Sequence, residues 1–568
     1  MNPRPSSWLN RLQTTQRSLK IQLDRWLDRL GNWNPQLLRE LKGNCTSRNL
    51  TLATLSSLIA QAAFWMCWQR IAVETATVST ETEGILRFYC TGQADEELRA
   101  CELLSSSTFA LNWPLWWLDL FFWLSSILVG LLVLGGTQAL ITNWLEESKQ
   151  GTLDFIRMTP EPSHRILWGK LLGAPALIHW AVLLALPLQT LAGLQAGLGL
   201  GGLLLADGVA VAFLGALYLL GLFYASVSDS RQALSGWAFG ILGLFLFAPA
   251  LTIARGVMIR GTMDTPVSPS WFWFGQDLIV QPQLCAAIAI VGFAGVALAF
   301  WQAVTRRFQN PANTFITKGR SYWLTIGFNL LAMGFFMPWN PGHFKGWAVV
   351  GFFWLIQMFA WVVLLLPPRQ TLLDWARYRH FQRTRDERSS QRAINDWLWG
   401  ENSPPLLALL VNGGLTIALW LPWALAFGFN SSTQGLLVLV AIGCTTGLIV
   451  LYGALAQWAL LWQVRRPVAW ATGLVGVAII GSLLLGLIMR SRDAIGWTNA
   501  WDWVWLMTPV APMLMGIVSD PLSLSMAGVA FAINGVAAVG ISYVALNQLD
   551  RLGRSESAAL IQGDRPQV

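Results

Sequence analysis

Charged side chains are scarce in this sequence, at 12% of 568 residues against about 25% in soluble globular proteins. Histidine and cysteine are scarce as well: four histidines and six scattered cysteines exclude a disulfide scaffold and argue against a metal site built from those residues. No Gly-x-x-x-x-Gly-Lys-Ser/Thr phosphate loop occurs, so the chain is not expected to hydrolyse ATP by itself. Hydrophobic residues make up 54% of the chain, and a membrane is therefore the predicted environment.

Long apolar runs are abundant and set the predicted architecture. A bilayer core of about 30 Å needs about 20 mostly apolar residues in a helix. Twelve stretches meet that length, at about 50–69, 114–142, 171–193, 203–227, 233–254, 284–303, 321–339, 346–366, 405–428, 435–463, 467–489 and 522–546. No cleaved signal peptide is expected, because about 49 mostly polar residues precede the first run.

The distribution of Lys and Arg predicts the orientation. With a cytoplasmic N-terminus, the inside segments hold 30 of the 38 basic residues and the outside segments hold 8, which is the bias of membrane proteins. We therefore predict an all-α integral membrane protein with about 12 transmembrane helices and both termini cytoplasmic, in a bacterial inner or plasma membrane. The net charge of +8 is then a topology signal, and no nucleic-acid partner is expected. Most of the 33 tryptophans are interpreted as an aromatic belt at the outer boundary.

The predicted spans divide into two halves of six. Each half begins with two spans and a long cytoplasmic loop, and each ends with a long outer segment before its last span. The predicted order is a cytoplasmic start with amphipathic and elbow helices (1–48), a first half (49–308), a second half (309–546) and a cytoplasmic tail (547–568). The Trp-rich outer segments 255–283 and 490–521 are predicted to hold re-entrant or interfacial helices, because irregular backbone at membrane depth must lie against protein or water.

The first long cytoplasmic loop, residues 143–170, is predicted to form a helix, a break and a second helix. The helix of the second span continues beyond the membrane through Glu146. Pro160 and Pro162 push the residues before them out of the helical region, and Ser163 is predicted to cap a new short helix. This shape would project apolar and charged residues from the membrane and suit docking to a cytoplasmic partner.

At this loop the sequence resembles the permease subunits of ABC transporters of the ABC-2, or type V exporter-like, class. The stretches Gly151-Thr152-Leu153-Asp154, Thr159-Pro160 and Gly169-Lys170 match the order and spacing of the family's first cytoplasmic loop. The stretch Asn34-Pro35-Gln36-Leu37-Leu38-Arg39-Glu40-Leu41 is similar to the family's elbow helix, and Trp399-Gly400-Glu401-Asn402-Ser403-Pro404 is similar to a loop of related two-half permeases.

The loop also departs from the family pattern at three positions. Gln150 stands where a basic residue is usual, Asp154 where glutamate is usual, and Ser163 lies one position later than the common serine.

The resemblance implies a membrane-spanning permease that moves a substrate, in the export direction, with ATP hydrolysed by a separate cytoplasmic ABC ATPase subunit, expected as a dimer. That partner would bind ATP and magnesium, and no cofactor, metal or catalytic residue is expected in this chain. In the family, a helix in this loop fits a groove on the ATPase. The docking residues implied are Glu146, Gly151, Thr152, Leu153, Asp154, Thr159, Pro160 and Ser163. The second-half loop, residues 367–404, lacks the Gly-Thr-Leu pattern and is either a degenerate docking element or only a positive-inside loop.

Two cysteines and two acids complete the candidates. Cys90 and Cys101 share the first outer loop and are either a disulfide in an oxidising periplasm or two free thiols. Asp119 and Asp207 lie within predicted spans, near the outer ends, with Asp119 predicted to contact water.

Two other functional classes stay open. A twelve-span secondary transporter would need charged pairs or broken helices at the midplane. An integral-membrane glycosyl- or lipid transferase would need converging His, Asp or Glu residues.

Overall fold

The computed structural model of the chain is mostly helical. It describes residues 29–76, 89, 91, 94–95, 98–99, 103–105, 108–228, 235–245, 272–278, 280–310, 313–335, 345–383, 389–428, 434–464, 470–471, 473–479, 481 and 524–553. Cys90 and Cys101 lie outside the described residues, and so does the second Trp-rich outer segment.

The chain divides into two compact units, Met1–Ser270 with Asp277–Gln309, and Trp271–Gln276 with Asn310–Val568. Helices of the first unit are α1 (Pro35–Asn44), α2 (Ser47–Ala76), α3 (Trp113–Leu131), α4 (Thr137–Gln150), α5 (Thr152–Arg157), α6 (Ser163–Gly173), α7 (Ala176–Gln195), α8 (Gly199–Val227), α9 (Gly236–Phe245) and α10 (Pro282–Gln309). Two short antiparallel pairs, β1 (Ala94–Asp95) with β2 (Leu98–Arg99) and β3 (Leu103–Ser105) with β4 (Thr108–Phe109), precede α3.

The first Trp-rich outer segment differs from its prediction. Where it is described, it forms a hairpin of β5 (Phe272–Trp273) and β6 (Gln276–Asp277) and not a helix. The two turn residues, Phe274 and Gly275, have φ values of 46° and 80°. Two consecutive positive φ angles match the twist of a tight hairpin, and glycine at the second position makes that turn accessible.

The core of the first unit lies where α4, α6, α8 and α10 meet. Trp144, Leu167 and Leu222 are each at most 2% exposed within it. α8 packs along α10, and α7 packs against both α2 and α3. These contacts bury the apolar faces that single helices would leave exposed.

α3 and α4 form one continuous helix through a π-helical segment, Leu132–Gly136. The candidate span Trp113–Gln150 has 38 residues. At about 1.5 Å per residue it is about 57 Å long, whereas a bilayer with its headgroups is about 40–45 Å thick. This helix is therefore longer than the membrane is thick.

In the described part of the second unit, seven helices have both ends defined. They are α11 (Lys318–Gly334), α12 (Lys345–Leu364), α13 (Arg369–Arg383), α14 (Ser389–Trp399), α15 (Leu406–Gly428), α16 (Gln434–Leu460) and α17 (Leu524–Gly553). α11 packs along α15, α16 packs against both α15 and α17, and α13 packs on α17. The fourth and last predicted spans are thus neighbours in each unit, as α8 with α10 and as α16 with α17.

A ladder of buried polar side chains joins α11, α12 and α15. Thr325 donates to Asn412 Oδ1 at 2.7 Å, and Asn412 Nδ2 donates to Ser321 Oγ at 3.0 Å. Trp361 Nε1 donates to Thr325 Oγ1 at 2.9 Å, and Trp420 Nε1 donates to an asparagine oxygen of α11 at 3.0 Å. Each polar group is satisfied by a neighbouring helix, as a buried environment requires.

Seven described helices are long and apolar enough to cross a membrane: Ser47–Arg70, Trp113–Gln150, Ala176–Gln195, Gly199–Val227, Pro282–Gln309, Gly443–Leu460 and Phe531–Gly553. The pair Trp354–Leu364 and Arg369–Arg379, bent by 66°, is an eighth if it is one span. The prediction of an all-α membrane protein is confirmed at this level, whereas the number twelve and the side of the termini stay predictions.

Candidate functional site

Residues 151–162, which we call the α5 loop, connect α4 to α6. Gly151 ends α4 in the left-handed conformation, with φ of 72°, which glycine adopts without steric cost. The Thr152 hydroxyl donates to the Glu147 carbonyl at 3.2 Å, and the Thr159 hydroxyl donates to the Ile156 carbonyl at 2.6 Å. The predicted helix–break–helix shape is therefore present, with the short helix α5 inserted in the break.

The predicted cap of α6 is wrong. Pro162 occupies the cap position with ψ of 136°, no side-chain cap bond forms, and Ser163 is the first helical residue. Proline fixes its own φ and lacks an N–H, so a helix can begin directly after it. Ser163 is 7% exposed and lies inside the packing of this unit.

The eight residues implied in docking differ in exposure. Glu146, Gly151, Asp154 and Pro160 are exposed, Thr152 and Thr159 are half-buried, and Leu153 and Ser163 are buried. Leu153, 4% exposed, belongs to the hydrophobic core of the first unit. The Leu153 side chain therefore holds α5 against that core, and neighbouring residues of the loop form its exposed surface.

Sequence reasoning missed the two apolar side chains that dominate this surface. Phe155 is 73% exposed and Met158 is 82% exposed. Met158 is the C-cap residue directly after α5, and the spacing of three residues places it on the same face as Phe155, opposite the buried Leu153 and Ile156. The available signal in the sequence was the presence of apolar residues at 153 and 156 and also at 155 and 158, because one buried face of a short helix needs only one of these pairs. Adjacent exposed apolar side chains outside a membrane are typical of interaction surfaces.

A second missed feature is a buried charge network that joins α1, α4 and α6, which we call the Lys170 network. Lys170 is fully buried, forms an ion pair with Glu147, lies 3.6 Å from Glu40 Oε1 and donates to Asn143 Oδ1 at 2.8 Å. Asn143 Nδ2 donates to Glu40 Oε2 at 3.0 Å, and Arg39 lies 3.3 Å from Glu147 Oε1. Each buried charge therefore has an opposite charge beside it, and Lys170 and Glu40 have the Asn143 amide as a neutral hydrogen-bond partner as well.

Close helix packing accompanies these charges. A Cβ atom on Gly169 would lie 2.8 Å from the Leu37 backbone nitrogen, and one on Gly173 would lie 2.5 Å from Glu40 Cβ. Asn34 caps α1 by accepting from Leu37 N at 2.9 Å and donates to the Arg165 carbonyl at 2.7 Å. The Gly169-Lys170 and Asn34-Pro35 stretches thus meet at one helix–helix contact.

The α5 loop also contacts the end of α10. The Arg157 guanidinium lies 5.3 Å from the centre of the Phe308 ring and forms an ion pair with Asp154 at 2.8 Å. Phe308 in turn packs against Trp144 with ring centres 6.0 Å apart. A displacement of α5 would therefore change contacts with α4 and α10 as well as with α6.

The second unit has its own buried lysine. Lys318 begins α11, before the predicted span, is 2% exposed, and donates to Ser403 Oγ at 2.6 Å, to Trp397 O at 2.8 Å and to Pro404 O at 3.1 Å. Burial lowers the pKa of Lys318 from 10.5 to about 8, and the Asp396 carboxylate partly opposes this change. The lysine fixes the stretch before α15 that resembles two-half permeases.

The basic loop 367–404 forms α13 and α14 and is anchored to its own unit. Leu372 and Leu373 pack with Leu549 of α17. The Arg379 guanidinium lies 5.2 Å and 5.7 Å from the ring centres of Trp375 and Trp397. The docking question for this loop stays open.

The two intramembrane acids lie in different surroundings. Asp119 is 2% exposed and accepts a hydrogen bond from the Tyr89 hydroxyl at 2.9 Å, so the prediction that it contacts water is wrong. Asp207 is half-buried and accepts a hydrogen bond from Gln189 Nε2 at 3.0 Å.

Within the described part of the chain, no group of three or more His, Cys, Asp or Glu residues is arranged to hold a metal ion. Comparison with known proteins finds no matching family model, no matching curated protein and no matching solved structure. The site is therefore interpreted from its own geometry.

Proposed function

We propose that the chain is the membrane-spanning permease subunit of an ABC transporter, and that the α5 loop docks a separate ATPase subunit. The observation that carries this proposal is the exposed pair Phe155 and Met158 on a loop that follows a helix longer than the membrane is thick and that packs against the candidate membrane helices. The resemblance of residues 151–170 to the ABC-2 class supports the same partner. Export of the substrate rests on that resemblance alone.

A docking loop that transmits movement must be both exposed and stiff, and the α5 loop combines these properties. Phe155 and Met158 offer apolar contact area, while exposed Glu146 and Asp154 offer charge at its edge. Behind them, Leu153 is held in the core, and the Lys170 network fixes α4 to α6 and α1. A force applied to α5 is thus passed to four helices and is not absorbed by a flexible connection.

The first test is co-purification. The affinity-tagged chain is isolated in mild detergent from the cells that produce it, and the associated proteins are identified by mass spectrometry. We expect a P-loop ATPase in near-stoichiometric amount. The proposed function is refuted if no such ATPase is present in the purified complex and the reconstituted complex shows no ATP-dependent transport.

The second test changes the docking surface alone. Burial of a side chain of this type stabilises a complex by about 1.5–3 kcal/mol, so Phe155→Asp with Met158→Asp is expected to weaken ATPase binding by about 100-fold or more. The matched control, Phe155→Leu with Met158→Leu, keeps the surface apolar and is expected to retain most of the binding. Equal retention of the ATPase by both double variants would exclude the α5 loop as the docking element.

A further inference from the structure

A small polar cluster lies among apolar helices of the first unit, where α3, α7 and α8 meet. Gln189, on α7, is 6% exposed, and its amide nitrogen donates to Ser125 Oγ at 3.0 Å and to Asp207 Oδ1 at 3.0 Å. Both amide hydrogens are therefore committed, one to a hydroxyl and one to a carboxylate. This arrangement fixes the direction of the Asp207 carboxylate, which is half-buried.

The cluster lies within the membrane-spanning lengths of its helices. Asp207 is eight residues into the candidate span Gly199–Val227, or about 12 Å along its axis. Gln189 is six residues before the end of the candidate span Ala176–Gln195, or about 9 Å from it. Ser125 is twelve residues into the helix that begins at Trp113, or about 18 Å. A carboxylate at such a depth marks a functional site by default.

The chain offers this carboxylate no cation within the same helices. No Lys or Arg occurs in residues 113–142, 171–230 or 282–305. Among the described residues, the other titratable side chains on these stretches are Asp119, His179, Tyr218, Tyr224 and Cys285. His179 lies ten residues before Gln189 on α7, about 15 Å away along that helix. The cations on the neighbouring α2 are Arg48, next to its first residue, and Arg70, which is exposed. Among the described residues, the hydrogen-bond partner of Asp207 is the neutral amide of Gln189.

An aromatic cluster lies next to the residues that precede Asp207 on α8. Leu203, one helical turn before Asp207, and Ala206, next to it, pack in a cluster with Phe64, Trp65 and Trp68. Aromatic faces attract cations and also provide apolar area for organic groups. A carboxylate that follows the residues packed in an aromatic cluster is a combination that favours an apolar molecule with one positive charge.

We propose that Asp207, oriented by Gln189, is a binding site for a lipophilic organic cation. The identity of that cation as the transported substrate rests on the proposed function, whereas its binding to Asp207 does not. Asp207 forms the ion pair, Gln189 is a positioning residue, and the aromatic cluster accepts the apolar part of the ligand.

The test measures binding to the purified full-length chain in nanodiscs, without any ATPase. Tetraphenylphosphonium is the cationic probe, and triphenylphosphine oxide is a neutral probe of similar shape. We expect Asp207→Asn to weaken tetraphenylphosphonium binding by at least about tenfold while leaving the neutral probe unchanged. Asp207→Glu keeps the charge and is expected to retain most of the binding, and Asp119→Asn is the matched control for loss of another buried acid.

A chemical readout covers the case in which Asp207→Asn fails to fold. N,N′-dicyclohexylcarbodiimide adds to carboxyl groups in apolar surroundings, and the adduct is located by mass spectrometry. Labelling of Asp207 in the unmodified chain is expected to fall when tetraphenylphosphonium is present, and Gln189→Leu is expected to reduce this protection by several-fold. Any of three results overturns the proposal: tetraphenylphosphonium does not bind, it binds Asp207→Asn as tightly as the unmodified chain, or its binding does not protect Asp207 from labelling. Failure of ATPase docking leaves all these readouts unchanged, so the two proposals fail separately.

Discussion

Replacing Lys170 by methionine is expected to release α1 from α6. The ammonium group is fully buried and is shared by two carboxylates, those of Glu40 and Glu147. Methionine has a similar length and no charge, so the change removes the central cation and leaves the apolar contacts nearly intact. Two buried carboxylates then face each other with reduced compensation.

The magnitude follows from what remains around them. The side chains of Glu40 and Glu147 are 7% and 8% exposed, so water replaces little of the lost interaction. Arg39 still lies 3.3 Å from Glu147, but it is 53% exposed and contributes less than a buried partner would. Removing one member of a buried ion pair costs about 3–5 kcal/mol, and we expect Lys170→Met to lower the stability of the α1–α6 contact by about that amount.

Hydrogen exchange of the detergent-solubilised protein measures this contact locally. A loss of about 3 kcal/mol corresponds to opening on the order of 100 times more often, so the amides of α1 are expected to exchange faster by that factor. Peptides from the distant part of α8 serve as the internal control and should be unchanged. The double variant Lys170→Met with Glu147→Gln removes a charge from each side and is expected to recover part of the protection.

Two results would refute this reasoning. Exchange of α1 within a factor of about 5 of the unmodified chain would mean that the network contributes little net energy, as exposed pairs do. Additive effects of Lys170→Met and Glu147→Gln would mean that the two side chains do not interact.

Three further outcomes are expected. Gly173→Ala places a methyl group 2.5 Å from a carbon atom of α1. It should lower the stability by about 1–3 kcal/mol through overpacking, which is measured as a lower thermal midpoint in detergent. Gly43→Ala is the control, because nothing lies within 4 Å of the added methyl group, and its midpoint should be unchanged. The folded pKa of Lys318, about 8, lies below its ordinary value of 10.5, so the unfolded chain binds that proton more tightly. The free energy of unfolding should therefore rise by about 1 kcal/mol from pH 7 to pH 9. This rise should be absent in Lys318→Met. Asn412→Leu leaves the buried Thr325 hydroxyl without its acceptor and should destabilise the second unit by about 1–3 kcal/mol in denaturant titrations.

Local patterns predicted the helices well, because an apolar run of sufficient length has few alternatives to a helix in a membrane. The run 203–227 lies within α8, Gly199–Val227, and the run 284–303 lies within α10, Pro282–Gln309. The hairpin at Phe274 and Gly275 was missed, because the same short Trp-rich stretch fits an interfacial helix, and its outcome depends on two backbone angles.

The candidate site was located from the sequence, but the roles of its residues were not. The three matching stretches lie together, yet Leu153 and Ser163 are buried, and the large exposed apolar side chains are those of Phe155 and Met158. Burial depends on contacts between residues that are far apart in the chain, such as Lys170 with Glu40. No local pattern carries that information, and a motif alone does not separate a contact residue from one that supports it.

The contact between α1 and α6 also has a consequence for biogenesis. Asn34 and its acceptor Arg165 are 131 residues apart, and at about 5–20 residues per second the ribosome needs roughly 7–26 s to make the intervening chain. During that interval the first two candidate spans are already made, whereas α1 still lacks the helix that neutralises its Glu40. A chain that ends before α6 therefore keeps α1 undocked, with the Glu40 carboxylate lacking its lysine partner.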